Sequence, residues 1–236
     1  MTERQIELRD NYFRVLENIE AAKARRGEGG EVTLLAATKT VPAEDILFLV
    51  ENYGLKLFGE NHAQEFRDKF EPVTKSGARM DFIGHLQSNK IKYVVGKAGL
   101  IHSVDSEKLA SEINERCEKL DVTQDILIEV NIGSEETKSG VEPDKVGELI
   151  SKIETFDRLN VCGMMTMAPK CAEKDEFRKY FRESYKIFLD FFAKRTHNIR
   201  EAVLSMGMSD SYECAIEEGA TMVRVGSSIF GSRMYK

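Results

Sequence analysis

A lysine closes the run Val32-Thr33-Leu34-Leu35-Ala36-Ala37-Thr38 and stands just before Thr40-Val41-Pro42. An ammonium at the end of an otherwise apolar or small segment is costly unless it is paired, solvated or shifted in pKa. A partly desolvated lysine frees the neutral amine that Schiff-base chemistry needs. Position alone leaves a second reading of Lys39, a side chain running out to water from a strand end. Far along the chain are two glycine–serine turns, Gly207 and Ser209 in MGMSDSYECAI, and Gly226, Ser227 and Ser228 in VRVGSSIFG. In the first, Ser209 or Asp210 is placed to cap the helix that follows. In the second, Gly226 allows close approach of the backbone, and two hydroxyls lie beside exposed amides. Turns of this kind feeding helix N-termini bind phosphate through N–H groups. Each is weak evidence alone; two of them with a strand-end lysine say more. Arg224, two residues before the second turn, could donate to a ring nitrogen. Because it stays protonated near neutrality it would leave a pyridine nitrogen largely unprotonated, which weakens that ring as an electron sink. The other reading of Arg224 is an ion pair with a rim carboxylate such as Glu60.

Something must bring these distant residues together. Eight short apolar runs, starting at Val32, Leu55, Arg79, Gly99, Asp125, Leu159, Ala202 and Thr221, alternate with longer segments of helical periodicity. Runs apolar on both faces suit parallel strands covered by helices, joined by right-handed crossovers. The fold expected is α/β, a single (β/α)8 TIM-type barrel over residues 1–236 with an extra N-terminal helix on Leu8, Tyr12, Val15, Ile19 and Ala22. Pro143 and Asp144 open a helix through Val146, Leu149, Ile150 and Ile153, and Phe177, Phe181, Tyr185, Phe188 and Phe192 make an aromatic stripe for the barrel wall. In such barrels chemistry sits at the C-terminal ends of the strands. Those positions hold Lys39, Glu60-Asn61, His85, Asp105, Asn131, Thr166, Ser209 and Arg224. His85 could face a ligand or cap the helix marked by Ser88-Asn89, whereas His62, His102 and His197 lack metal-ligand spacing and read as surface or loop residues.

Composition excludes several classes. A net charge of −6 lacks the basic footprint of a nucleic-acid binder. No apolar run approaches the length of about 18 residues that spans a membrane, and the N-terminus MTERQIELRDNYF has no signal-peptide core. Cys117, Cys162, Cys171 and Cys214 form no CxxC pair and read as reduced thiols of a cytoplasmic protein.

Six stretches, in order along nearly the whole chain, carry a resemblance: AATKT from Ala36, FGEN from Phe58, FIGHLQSNK from Phe82, GMMTM from Gly163, LSMGMSD from Leu204 and VRVGSSIFG from Val223. Together they resemble the YggS/PROSC-type pyridoxal-phosphate homeostasis proteins. The resemblance implies the barrel of the alanine racemase N-terminal domain and pyridoxal 5′-phosphate as cofactor, held as a Schiff base on Lys39. It also implies Gly207, Ser209, Gly226 and Ser227 at the phosphate, Arg224 at the pyridine nitrogen, and Asn61 and His85 near the ring. The role implied is that of a carrier and regulator of intracellular pyridoxal phosphate, monomeric, with cofactor-free enzymes as recipients and without conventional catalysis. The racemases that share this barrel use a second base from a further β domain; here six residues follow Phe230 and no such domain is expected. Two other readings stay open on the residues alone: a weak amino-acid racemase or lyase with Lys39 as its sole acid/base group, and a phosphosugar barrel enzyme with an aldolase lysine.

Overall fold

Strands arise where β-branched and apolar residues run together, helices where apolar residues recur every three or four positions. The computed structural model describes residues 1–27, 30–135, 138–173, 175–192 and 202–231. Its elements alternate as expected. The first half runs α1 (Glu3–Arg26), β1 (Thr33–Ala37), α2 (Ala43–Tyr53), β2 (Leu57–Glu60), α3 (Ala63–Lys75), β3 (Arg79–Phe82), α4 (Ile91–Val94) and β4 (Ile101–Val104). The second half runs α5 (Glu107–Leu120), β5 (Gln124–Val130), α6 (Val146–Ile153), β6 (Leu159–Thr166), α7 (Glu176–Phe191), β7 (Val203–Ser205), α8 (Tyr212–Glu217), β8 (Met222–Val225) and α9 (Ser227–Phe230). Single 3-10 turns, Ser88–Lys90 and Pro143–Lys145, precede α4 and α6. All eight strands are parallel and close into a ring in sequence order, β8 returning to β1 through Leu35↔Arg224 and Ala36↔Val225. The (β/α)8 barrel with an added N-terminal helix is the observed fold.

Strand residues alternate between two environments, as the pleat requires. Ala36, Phe58, Met80, Ile126, Ile128, Leu204, Val223 and Val225 join the large apolar layer under the helices. Their neighbours Leu35, Ile83 and Met222, and Leu100, Leu127 and Met165, form two smaller clusters inside the ring. The α1 stripe buries all five expected residues, Leu8, Tyr12, Val15, Ile19 and Ala22, against the β8–β1 side of the barrel, where α1 packs on α8 and α9. A capping box starts that helix, Thr2 and Gln5 exchanging hydrogen bonds, and Gly27 at φ +81° ends it. The Pro143 helix buries Val146, Leu149, Ile150 and Ile153 as expected. In the aromatic stripe Phe181, Phe188 and Phe192 are buried, but Tyr185 stays 38% exposed and lies over Gly219, where a side chain would collide with its ring.

The expectation of strands apolar on both faces fails inside the ring. Asp81, His102, Glu129, Ser205 and Arg224, from five different strands, are all buried polar residues. They take the inward parity, alternating with the helix-facing positions.

Candidate functional site

The strand mouths on the β7–β8–β1–β2–β3 side carry Lys39, Asn61, His85, Ser209 and Arg224 of the residues picked out in the sequence, while Asp105, Asn131 and Thr166 stand at the ends of β4, β5 and β6. Lys39 lies two residues past β1, half-buried, and its amine makes no hydrogen bond or ion pair among the described residues. The turn that presents it is held from below. Thr40 takes φ +65°, its N–H donates to Glu65, and Val41 N–H donates to the Thr38 carbonyl. Lys69 of α3 supplies the contrast. Its ammonium donates to the Thr38 carbonyl, Glu60 and Glu65, each at 2.8 Å, tying the ends of β1 and β2 to α3. Burial of Glu65 opposes its ionisation, yet hydrogen bonds from Lys69, His62 and Thr40 N–H hold its pKa down to about 2. One lysine is thus a structural clamp and the other is free.

Glu60 is therefore not the partner of Arg224: it accepts from Lys69, from Thr38 Oγ1 at 3.1 Å and from Asn61 N–H at 2.8 Å. Nor does Ser209 cap α8, whose N-cap is Ser211, with Ser211 Oγ accepting from Met208 N–H. Ser209 Oγ reaches across to the next strand instead and accepts from Gly226 N–H at 3.1 Å and Ser228 N–H at 3.3 Å. Both glycines leave room for a close approach that a side chain would fill. A Cβ on Gly226 would sit 3.0 Å from the Ala37 carbonyl oxygen, and one on Gly207, at φ +88°, 2.5 Å from Ala215 Cβ. Gly207, Ser209, Gly226 and Ser227 thus converge on the end of β8, next to the strand that leads into Lys39. The Ser209 hydroxyl accepts both amides and keeps its own hydrogen to donate, and Ser227 N–H and hydroxyl make no hydrogen bond among the described residues, so donors that suit a phosphate remain at this turn.

Arg224 is buried just beneath. Its N–H groups donate to Ser205 Oγ at 2.7 Å and to the Thr166 carbonyl at 3.0 Å, two of the five donors a guanidinium carries. Burial pulls its pKa down to about 10, against the pull of Glu129, so it remains a cation at neutral pH. Ser205 lies 3.3 Å from His102 Nδ1, His102 Nε2 lies 3.3 Å from Asp81, and Asp81 pairs with Arg79 at 2.7 Å. The chain runs up the barrel axis from Arg79 to Arg224. Burial pushes the His102 pKa down, against the hydrogen bond the ring donates to Asp81, so the ring is neutral near pH 7. A neutral ring that accepts from Ser205 at Nδ1 must carry its proton on Nε2, facing Asp81. The expectation that His102 is a surface or loop residue is thereby corrected: it is fully buried inside the ring. His62 does sit on the surface, against Glu65, and His197 lies outside the described residues.

Asn61 and His85 flank the mouth after β2 and β3. The backbone of Asn61 packs so closely on Gly84 that a Cβ there would overlap it, and the Asn61 side-chain amide makes no hydrogen bond among the described residues. His85 is exposed and does not cap the following turn, which starts at Gln87 without a side-chain cap. A cavity of about 600 Å³ between residues 170–173 with Phe177 on one side and residues 209–214 on the other touches Ser209 but not Lys39, Arg224 or Gly226. It borders the site and does not contain the chemistry.

Residues 11–234 match the family described as alanine racemase, N-terminal domain. A pyridoxal phosphate homeostasis protein of Aquifex aeolicus is 45% identical over 227 residues, 96% of this chain and 98% of that one. The chain belongs to the pyridoxal phosphate homeostasis protein family. Among solved structures similar to it, one of a protein from Bifidobacterium adolescentis has a TM-score of 0.89 at 36% identity, covering 98% of this chain and 97% of that one. Another is PipY of Synechococcus elongatus PCC7942 with PLP bound, with a TM-score of 0.75 at 28% identity, covering 91% of this chain and 100% of that one.

In this member of the family the residues missed in the sequence are those inside the ring: Asp81, His102, Glu129 and Ser205. Each is a polar residue at the parity opposite the helix-facing residues of its strand, and that parity was the available signal.

Proposed function

We propose that this chain binds pyridoxal 5′-phosphate and holds and delivers it inside the cell, without turning over amino acids as a conventional enzyme does. The observation that carries the reading is Lys39, a half-buried, unpaired amine one strand from the turn where Ser209 gathers the N–H groups of Gly226 and Ser228. The donor set fits the cofactor. An aldehyde takes a primary amine, a phosphate takes N–H and hydroxyl donors, and a pyridine nitrogen takes an N–H. When bound, the cofactor supplies a reactive aldehyde carbon on an electron-withdrawing ring.

In this reading Lys39 holds that carbon as a Schiff base. Gly207, Ser209, Gly226 and Ser227 hold the phosphate, Arg224 donates to the ring nitrogen, and Asn61 and His85 flank the ring. Arg224 with a pKa of about 10 donates a hydrogen bond without giving up its proton, so the ring nitrogen stays neutral and a carbanion next to it gains little. That supports a holder of the cofactor over a catalyst. The Aquifex aeolicus relative bears the matching name and PipY was solved with PLP bound. The reading extends to one domain over residues 1–236 acting as a monomer in the cytoplasm, with cofactor-free enzymes as recipients. The four free thiols support the cytoplasm as its place.

The test is borohydride reduction of the loaded protein followed by peptide mapping. The pyridoxyl group is expected on Lys39; an adduct mainly on Lys56, Lys90 or Lys138 refutes the assignment. Incubation with L-alanine and L-serine in deuterated water checks the carrier role. Steady Cα deuteration on the order of 1 s⁻¹ or faster, the low end of ordinary turnover numbers, would make the protein an enzyme.

A further inference from the structure

Glu129 points into the ring from β5, two residues past Leu127 of the interior cluster, and is 3% exposed. Oε1 accepts from Ser139 Oγ at 2.8 Å, while Oε2 is buried and has no hydrogen-bond partner among the described residues. In an eight-strand ring β5 stands across from β1, the strand that leads into Lys39. The titratable groups that act on Glu129 are Asp105 after β4, Arg224 on β8 and His85 after β3. Asp105 itself makes no hydrogen bond or ion pair among the described residues. Burial pushes the Glu129 pKa up against the hydrogen bond from Ser139; Asp105 adds to the rise, and Arg224 and His85 oppose it.

A structural duty explains only half of this carboxyl group. The segment after β5 folds back on the strand, and Ser139 belongs to it. That return is already held by backbone bonds from Val141 N–H to the Glu129 carbonyl and from Asn131 N–H to the Val141 carbonyl, and by Asn131 Nδ2 on the Glu135 carbonyl. One neutral oxygen would satisfy Ser139. A second, buried and unpartnered oxygen is costly to keep without a use.

Resting on the reading of Lys39 given above, we propose that Glu129 is a proton-transfer residue for a primary amine that enters the site. An amine reaches the site as an ammonium and cannot attack until it loses a proton. Glu129 Oε2 takes that proton, and the nitrogen lone pair forms a bond to the carbon that Lys39 holds. One electron pair of that carbon's double bond to Lys39 moves onto Nζ, which takes the proton from Glu129. Glu129 then removes a second proton from the new nitrogen, whose lone pair completes a double bond to the carbon. The remaining bond to Nζ breaks with its pair on Nζ, and Glu129 passes the second proton to the released lysine. One amine replaces another, and nothing is oxidised or reduced. A carrier needs this step, because a cofactor covalently held on Lys39 leaves fast only when another nitrogen displaces it.

The test compares the loaded protein with its Glu129→Gln variant, which keeps the shape and an oxygen for Ser139. Three amines are mixed with each across pH 5.5–9, and loss of the bound-cofactor absorbance is followed: L-alanine, Nα-acetyl-lysine amide, and methoxyamine, which is already neutral at pH 7. Displacement by an ammonium-type amine is expected to slow by about 10²-fold or more, the usual contribution of one positioned acid–base group. Its pH profile should lose the limb due to Glu129, while methoxyamine, which needs no proton removed before it attacks, should be slowed much less than the other two. Whichever of the first two shows the defect identifies the source of the amine, amino acid or lysine side chain. In the cofactor-free protein a carboxylic-acid infrared band absent from the variant should persist above the ordinary carboxylate range. Equal rates for both proteins with L-alanine and with the lysine amide, or equal slowing of methoxyamine, overturns the proposal. Borohydride mapping of both proteins keeps the two readings separate: an adduct away from Lys39 in the unmodified protein is a failure of the Lys39 assignment, not of Glu129.

Discussion

Replacing Ser205 by alanine should cut the axial chain at its centre, and the cost can be worked from its bonds. The hydroxyl accepts from Arg224 at 2.7 Å and contacts His102 Nδ1 at 3.3 Å, and the residue is fully buried. Removing it takes one acceptor from a buried cation, worth about 1.5–3 kcal/mol, and orphans a buried ring nitrogen, worth about 1–3 kcal/mol. The lower halves of both ranges apply, because Arg224 keeps the Thr166 carbonyl and the contact to His102 is long. The expected loss is about 3 kcal/mol, or about 6–12 °C in the melting temperature of a chain this size. Urea denaturation of the cofactor-free protein measures it, with m-values compared to show that the unfolding transition is the same. The control is a double-mutant cycle with His102→Leu. With the ring gone there is no Nδ1 to orphan, so Ser205→Ala should cost about 1 kcal/mol less in that background. A loss below about 0.5 kcal/mol, the size of an ordinary surface substitution, would refute the chain as a structural unit. So would full additivity in the cycle.

Gly226→Val places methyl groups against the Ala37 carbonyl at the turn assigned to the phosphate. Affinity for pyridoxal 5′-phosphate, measured by fluorescence titration, should fall about 10–100-fold, the loss of one charge-assisted hydrogen bond, while affinity for pyridoxal should hardly change. Equal weakening of both ligands would remove the phosphate from that turn. Acid should destabilise the cofactor-free protein in two windows. His102 has a folded pKa below its ordinary value, so the unfolded chain binds the extra proton and stability falls as pH drops below about 6.5. Glu65, held down to about 2, contributes stability that is full above its unfolded pKa and lost as pH falls from about 4 to 2. Urea midpoints against pH should show both limbs, and His102→Leu should abolish the upper one; survival of that limb in the variant would assign it to another group.

The barrel and its outer helix were legible because they depend on local periodicity. Five apolar residues at helical spacing define α1, and eight apolar runs define the strands, whatever lies elsewhere in the chain. The glycine–serine turn at the end of β8, proposed to hold the phosphate, stood out for the same reason, its glycine and serines being neighbours in sequence. What escaped depends on distance. Ser209 looks like a cap for the helix next to it, yet it binds amides 17 and 19 residues away. Glu60 looks like a partner for Arg224, but Lys69, nine residues on and brought round by α3, is nearer. His102 sits in an apolar run where a histidine reads as incidental, and its partners lie 21 and 103 residues away. Charge state and role at such positions are set by closure of the ring, and no window of adjacent residues contains that information. Closure nevertheless leaves a trace. Once eight parallel strands are inferred, every second residue must face inward, and the interior of such a ring is normally filled by branched apolar side chains. Asp81, His102, Glu129, Ser205 and Arg224 break that pattern at the inward parity. A polar residue there must find partners inside the ring or remain short of one, so parity alone marks it for the axial chain or for the site. Glu129, with one oxygen bonded and one not, belongs to the second group.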